Sequence, residues 1–131
     1  MSEHLTLVDV SNIRPGKLVE LRTAVGELAR FVEANEPRPV SYDVYFDAEG
    51  TRMTVVQVHP DSASMELHMR IAADAFPGFA DLLTLRAMDV YGEPSDELLE
   101  QLRRKVEMLG EATITVHRHQ AGFARFGPPG A

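Results

Sequence analysis

The stretch Val40-Ser-Tyr-Asp-Val-Tyr-Phe46, Asp47-Ala-Glu-Gly-Thr51, Arg52-Met-Thr-Val-Val-Gln-Val-His59 decides how this chain is read. Two β-prone runs flank a short polar break in which Gly50 supplies the backbone freedom of a turn, so the segment predicts a hairpin. Alternation sends Tyr42, Val44 and Phe46 to one face of the first run and Ser41, Asp43 and Tyr45 to the other. In the second run Met53, Val55 and Gln57 alternate with Thr54, Val56 and Val58. Both faces of the hairpin therefore carry apolar or aromatic side chains.

Upstream, Leu5 to Val10 reads as a strand with Leu5, Leu7 and Asp9 on one face. Pro15 suits a first helical turn, and Leu18, Leu21, Val25, Leu28 and Val32 recur at helical spacing, which predicts a helix from about Pro15 to Ala34. Glu36-Pro37-Arg38-Pro39 ends it, because proline has no amide to donate. Downstream, His59-Pro60-Asp61-Ser62 leads into a helix over about Ala63 to Phe76, capped by Asp61 or Ser62, with Met65, Met69, Ala72 and Phe76 on its apolar side.

Pro77-Gly78 breaks that helix, Phe79, Leu82 and Leu83 make a packed turn, and Leu85 to Tyr91 forms a strand. Ser95 caps a last helix with Leu98, Leu99, Leu102, Val106 and Leu109 on its apolar face. After Gly110, Ala112 to His117 is strand-like, and Gly122 to Phe126 is an arm ending in Gly-Pro-Pro-Gly. The order is β-α-β-β-α-β followed by α-β. This predicts an α+β fold, a ferredoxin-like antiparallel sheet with an added C-terminal helix and strand, in one domain over 1–131 with 95–131 as the extension.

The bulk numbers agree with one domain. The chain has 131 residues, 44% hydrophobic and 25% charged, enough for a single core. Its net charge of -7 disfavours binding to a phosphate backbone. The run Arg103-Arg104-Lys105 reads as the wet face of a helix. Absence of cysteine excludes disulfides and thiolate chemistry. Met1-Ser-Glu-His4 does not read as a signal peptide, and no apolar run is long enough for a spanning helix, so the expected address is the cytoplasm, without membrane contact.

Helices on one face of such a sheet leave the other face bare, yet the hairpin is apolar on both, with Met53 and Val55 opposing Val56 and Val58, and Tyr45 opposing Val44 and Phe46. Pairing with a second copy through the sheet face covers it for both chains, so a homodimer is expected. The alternative is that the C-terminal helix folds over the open face of its own sheet.

The passages Glu36-Pro37, Val40-Ser-Tyr-Asp-Val-Tyr45, Val55-Val-Gln-Val-His59-Pro-Asp-Ser62 and Met65-Glu-Leu-His68 together resemble the antibiotic biosynthesis monooxygenase-like family of dimeric α/β barrels. The resemblance covers about Leu5 to Tyr91. It implies a cavity between the sheet and the two main helices, able to admit a ring-shaped organic substrate. The family's second-helix histidine falls on His68. The tryptophan that often closes its third strand falls on His59, a departure from the pattern.

His68 and His59 are accordingly the candidate catalytic residues. A neutral imidazole in a cavity serves as a base near pH 7, while the structural alternative is a buried histidine bonded to a neighbour. Tyr42, Tyr45, Arg52 and Phe76 are the candidate substrate-binding residues: phenols to orient a hydroxylated ring, a guanidinium for an anion, and a ring for apolar contact. No cofactor and no metal are expected, since His117-x-His119 lacks a third ligand and nucleotide-binding glycine motifs are absent.

Two functions follow. One, implied by the resemblance, is a cofactor-independent monooxygenase acting on an aromatic or quinol-like small molecule. The other is a non-catalytic dimer that binds a small hydrophobic ligand or another protein.

Overall fold

A computed structural model describes residues 4–126. The Gly-Pro-Pro-Gly end of the arm and most of the N-terminal tetrapeptide lie outside the described residues. The chain order is β1 (Leu5–Ile13), α1 (Leu18–Asn35), β2 (Ser41–Phe46), β3 (Arg52–His59), α2 (Ser62–Ala72), a 3₁₀ segment (Ala73–Phe79), β4 (Leu83–Tyr91), α3 (Asp96–Leu109) and β5 (Gly110–His117). The sheet order is β2-β3-β1-β4-β5. The first four strands pair antiparallel in the ferredoxin-like arrangement, and β5 joins β4 in parallel. A parallel neighbour needs a crossover, which α3 supplies.

Alternation on β1 buries Leu5, Leu7, Asp9, Ser11 and Ile13, while Met53, Val55, Gln57 and His59 of β3 share that inner face. On β4 the register shifts between Leu85 and Ala87, a bulge around Arg86, so Leu83 and Leu85 before it and Met88 and Val90 after it all point inward. Without the extra residue the two halves of β4 would aim at opposite faces.

Several boundaries differ from the sequence expectation; β1 runs on to Ile13 past Val10, and β5 begins at Gly110 ahead of Ala112. Helix α1 begins at Leu18, not Pro15, because Gly16 takes a left-handed conformation with φ of 78° that carries the chain through a turn first. Helix α2 ends at Ala72 and tightens into 3₁₀ geometry, because Pro77 has no amide for the carbonyl of Ala73. Strand β4 starts at Leu83, where pairing with Ile13 claims residues expected in a turn.

The capping residues hold. Asp61 accepts from the Ser64 amide at 2.8 Å, and Ser95 accepts from the Leu98 amide at 3.0 Å. The two caps are tied together, since the Ser95 amide donates to Ser62 Oγ at 3.0 Å and the Ser95 hydroxyl to Glu66 at 2.8 Å.

All three helices lie on the inner face. Leu98 and Leu102 of α3 are buried beside α2 and the 3₁₀ segment, and Leu109 lies over the inner residues of β4. The C-terminal helix therefore does not fold across the open face, while the arm beyond β5 reaches His4 through His119 and Phe126. That outer face shows Val8, Val10, Val56 and Val58 half-buried, with Tyr45 and Tyr91 exposed. No described helix is long and apolar enough to cross a membrane.

Candidate functional site

Between the inner face of the sheet and α1, the 3₁₀ segment and α3 lies a half-open cleft. Its cavity volume is only about 40 Å³, so a ring-sized guest requires side chains to shift. Most of the wall is apolar: Val25 and Leu28 from α1, Val44 and Val55 from the sheet, Phe76 and Phe79 from the 3₁₀ segment. Asp9, Ser11, Tyr42 and Lys105 interrupt it with polar groups.

The charged members of the wall are Asp9 and Lys105. Asp9 is 2% exposed on β1, and the Lys105 ammonium reaches its Oδ2 at 3.4 Å from α3. The same ammonium lies 4.9 Å from the centre of the Phe76 ring, within reach of its negative face. Lys105 thus departs from the expectation that the Arg103-Arg104-Lys105 run is solvated: its two neighbours are exposed, but Lys105 turns inward. The sequence signal was there. Lys105 follows Leu102 by three and precedes Leu109 by four, which puts it on the buried stripe, and Asp9 continues the inward alternation of Leu5 and Leu7.

Tyr42 forms another part of the wall. Burial first, then the nearby charges of Asp9 and Glu36, push its phenol above the ordinary tyrosine value of 10, so it stays protonated and able to donate. Behind it stands a buried polar cluster. His68 lies with its ring 5.5 Å from that of Tyr42 and its Nδ1 2.9 and 3.0 Å from the two carboxylate oxygens of Glu36. A carboxylate accepts, so Nδ1 carries the proton.

His59 adjoins His68, with ring centres 5.8 Å apart. Its Nε2 donates to Gln57 Oε1 at 3.0 Å, and its Nδ1 accepts from the Ser64 hydroxyl at 2.9 Å, a pairing that uses the neutral tautomer fully. Burial, reinforced by His68 and Arg38 and opposed by Asp61, lowers its pKa to about 4. Arg38 in turn is paired with Asp61.

The candidates named from sequence thus separate. Tyr42 and Phe76 line the cleft; His68 and His59 do not, but sit behind it as a hydrogen-bonded layer. Tyr45, 56% exposed, projects from the opposite face of the sheet. Arg52 is exposed at the start of β3, in the outward alternation. Alternation forces this split, because neighbours on one strand cannot share a face. Among the described residues no group of three His, Cys, Asp or Glu is placed to hold a metal; His117 bonds Asp89 at 2.8 Å and stacks on Tyr91.

No family model and no curated protein matches the chain. Solved structures do match in shape. MupZ from Pseudomonas fluorescens superposes with a TM-score of 0.71 at 18% identity, over 95% of this chain and 91% of MupZ, a coverage that must take in most of α3 and β5. The cofactor-independent oxygenase SnoaB from Streptomyces nogalater gives 0.59 at 14% identity, over 71% of this chain and 95% of its own. A protein from Bacteroides thetaiotaomicron assigned by name to antibiotic biosynthesis monooxygenases gives 0.57 at 18% identity, over 63% of this chain and 85% of its own. At such identities the likeness speaks of the fold, and the chain has the fold of antibiotic biosynthesis monooxygenase-like proteins, carrying α3 and β5 as its C-terminal extension.

Proposed function

We propose that this protein is a homodimeric small-molecule enzyme of the cofactor-independent monooxygenase type, acting in the cytoplasm on an aromatic or quinol-like compound. The observation that carries this reading is an apolar cleft whose wall holds a phenol, a carboxylate and an ammonium together: Tyr42, Asp9 and Lys105. Apolar pockets with a few convergent polar groups are the usual form of a small-molecule site. A protein of the same fold, SnoaB, is named a cofactor-independent oxygenase.

In this mechanism the substrate supplies the electrons. Loss of a hydroxyl proton to a group of the cleft leaves an electron-rich ring anion that reacts with dioxygen at a ring C–H carbon. One oxygen atom stays there as a carbonyl, and the other leaves as water with the hydroxyl proton and the hydrogen of that carbon, the ring being oxidised to a quinone. Phe76 packs on the ring and Tyr42 donates to the developing oxyanion. His68 and His59 act behind them as positioning residues, holding the Tyr42 ring from the rear through the Glu36 and Gln57 contacts.

The test is oxygen uptake by the metal-free protein with a panel of dihydroxyaromatic compounds, alongside Tyr42→Phe and His68→Ala. Uptake that falls in Tyr42→Phe by about a hundredfold or more, the range for one lost oxyanion donor, supports the assignment. Compounds that bind but consume no oxygen leave a non-catalytic ligand-binding protein instead.

A further inference from the structure

We propose that Asp9 and Lys105 form a proton-exchange subsite that selects an un-ionised aromatic or enolic hydroxyl, with Asp9 taking its proton and Lys105 holding the oxyanion left behind. The inference rests on the reading that the cleft admits a small ring-bearing molecule. It adds which chemical group the cleft selects and which residues select it.

The argument is one of charge. Asp9 and Lys105 face each other at 3.4 Å with side chains 3% and 11% exposed, so neither is hydrated as a surface residue is, and the pair is neutral as a whole. A neutral hydroxyl entering beside them adds no charge. When its O–H bond breaks and an O–H bond forms on the Asp9 carboxyl, the negative charge moves from one partner of Lys105 to another. No net charge is created in the low-dielectric cleft, and no electrons change hands.

A carboxylate ligand fares differently, because it brings a second negative charge against Asp9. A ring with no hydroxyl leaves the pair as it was and gains only apolar contact. The subsite therefore ranks a hydroxyl above both.

Geometry supports the same ranking. Phe76 lies under the ammonium and lines the cleft with it, so apolar wall adjoins the charged pair. Tyr42, on the same wall, is kept protonated by its surroundings and supplies a second donor toward an oxyanion. Lys105 comes from α3, outside the four-stranded ferredoxin-like core, so this cation is a contribution of the C-terminal extension to the chemistry of the core.

The test is an equilibrium one, made without oxygen, so that it is independent of turnover. Binding of 4-nitrophenol, nitrobenzene and 4-nitrobenzoate is compared at about pH 6, where the free phenol is mostly protonated, and the absorption of bound nitrophenol reports its ionisation. The expected result is that the full-length protein binds 4-nitrophenol at least about tenfold more tightly than either analogue, with the bound probe in its anionic form. In Lys105→Met the anionic band and the advantage over nitrobenzene disappear. In Asp9→Asn the unpaired ammonium prefers 4-nitrobenzoate to nitrobenzene, reversing the order of the wild type for the charged ligand.

The double variant Asp9→Asn, Lys105→Met removes both charges at little change in shape. It is expected to bind nitrobenzene as the wild type does, which separates loss of the subsite from loss of the fold. Equal affinity for all three compounds, or a bound nitrophenol that stays neutral, overturns the subsite while leaving the cleft reading intact. If none of the three binds the wild type, the cleft reading fails and this inference with it.

Discussion

Glu36 and His68 meet across the inside of the fold: the carboxylate that closes α1 lies 2.9 Å from Nδ1 of an imidazole in the middle of α2, and both side chains are 1% exposed. Each satisfies the other, and together they back the Tyr42 ring.

A buried pair is costly to break from one side, because the remaining member keeps its desolvation penalty. Glu36→Ala is expected to lower stability by about 3 kcal/mol, and Glu36→Gln by less, since the amide oxygen still accepts from Nδ1. Urea denaturation at one fixed protein concentration measures both. A Glu36→Ala midpoint equal to the wild type's would mean that the contact stabilises nothing.

His59 makes stability depend on pH. Its folded pKa of about 4 lies below its ordinary 6.5, so between these values the unfolded chain binds more protons than the folded one. Its contribution is therefore complete above 6.5 and is lost as the pH falls through about 4, on the order of 3 kcal/mol in all. Unfolding free energies measured from pH 7 down to 4 should fall less steeply in His59→Gln than in the wild type. Parallel profiles would show that His59 is not the group responsible.

Gly110, at the junction of α3 and β5, has extended backbone, so conformation does not demand glycine there; space does. A Cβ at this position would run into the backbone of Leu85, including its nitrogen at 2.8 Å. Gly110→Ala should cost about 1–3 kcal/mol, as overpacking does. Gly78→Ala, with nothing within 4 Å, should change stability by less than about 0.5 kcal/mol. Thermal melts of the two variants give the comparison, and similar behaviour would contradict the close approach.

Pairing of the outer sheet faces predicts a dimer that a charge can open. Val8 and Val56 stand opposite each other on that face, in the middle of its half-buried valines. Val56→Glu should convert the dimer to a monomer in sedimentation velocity, since an unpaired carboxylate at a closed apolar interface is strongly unfavourable. A wild-type protein that is monomeric at roughly micromolar concentration would end the proposal of a homodimer.

The hairpin from Ser41 to His59 and the faces of its strands were legible in the sequence, because a period of two and a glycine turn are local properties. The caps Asp61 and Ser95 were legible for the same reason. The start of α1, the tightening after Ala72 and the bulge at Arg86 were not, since each depends on competition between a local preference and a distant strand or helix.

For the site, the residue types Tyr42, Phe76, His59 and His68 stood out in the sequence, but their division into wall and backing layer did not. Nor did the partnerships Glu36–His68 and Asp9–Lys105, whose members are 32 and 96 residues apart. The sequence by itself determined which side chains share a face of each element, because that follows from the repeat of helix and strand. Only the tertiary structure decided which faces meet, because bringing a lysine of the last helix against an aspartate of the first strand depends on the crossover that lays α3 beside the inner face of the sheet.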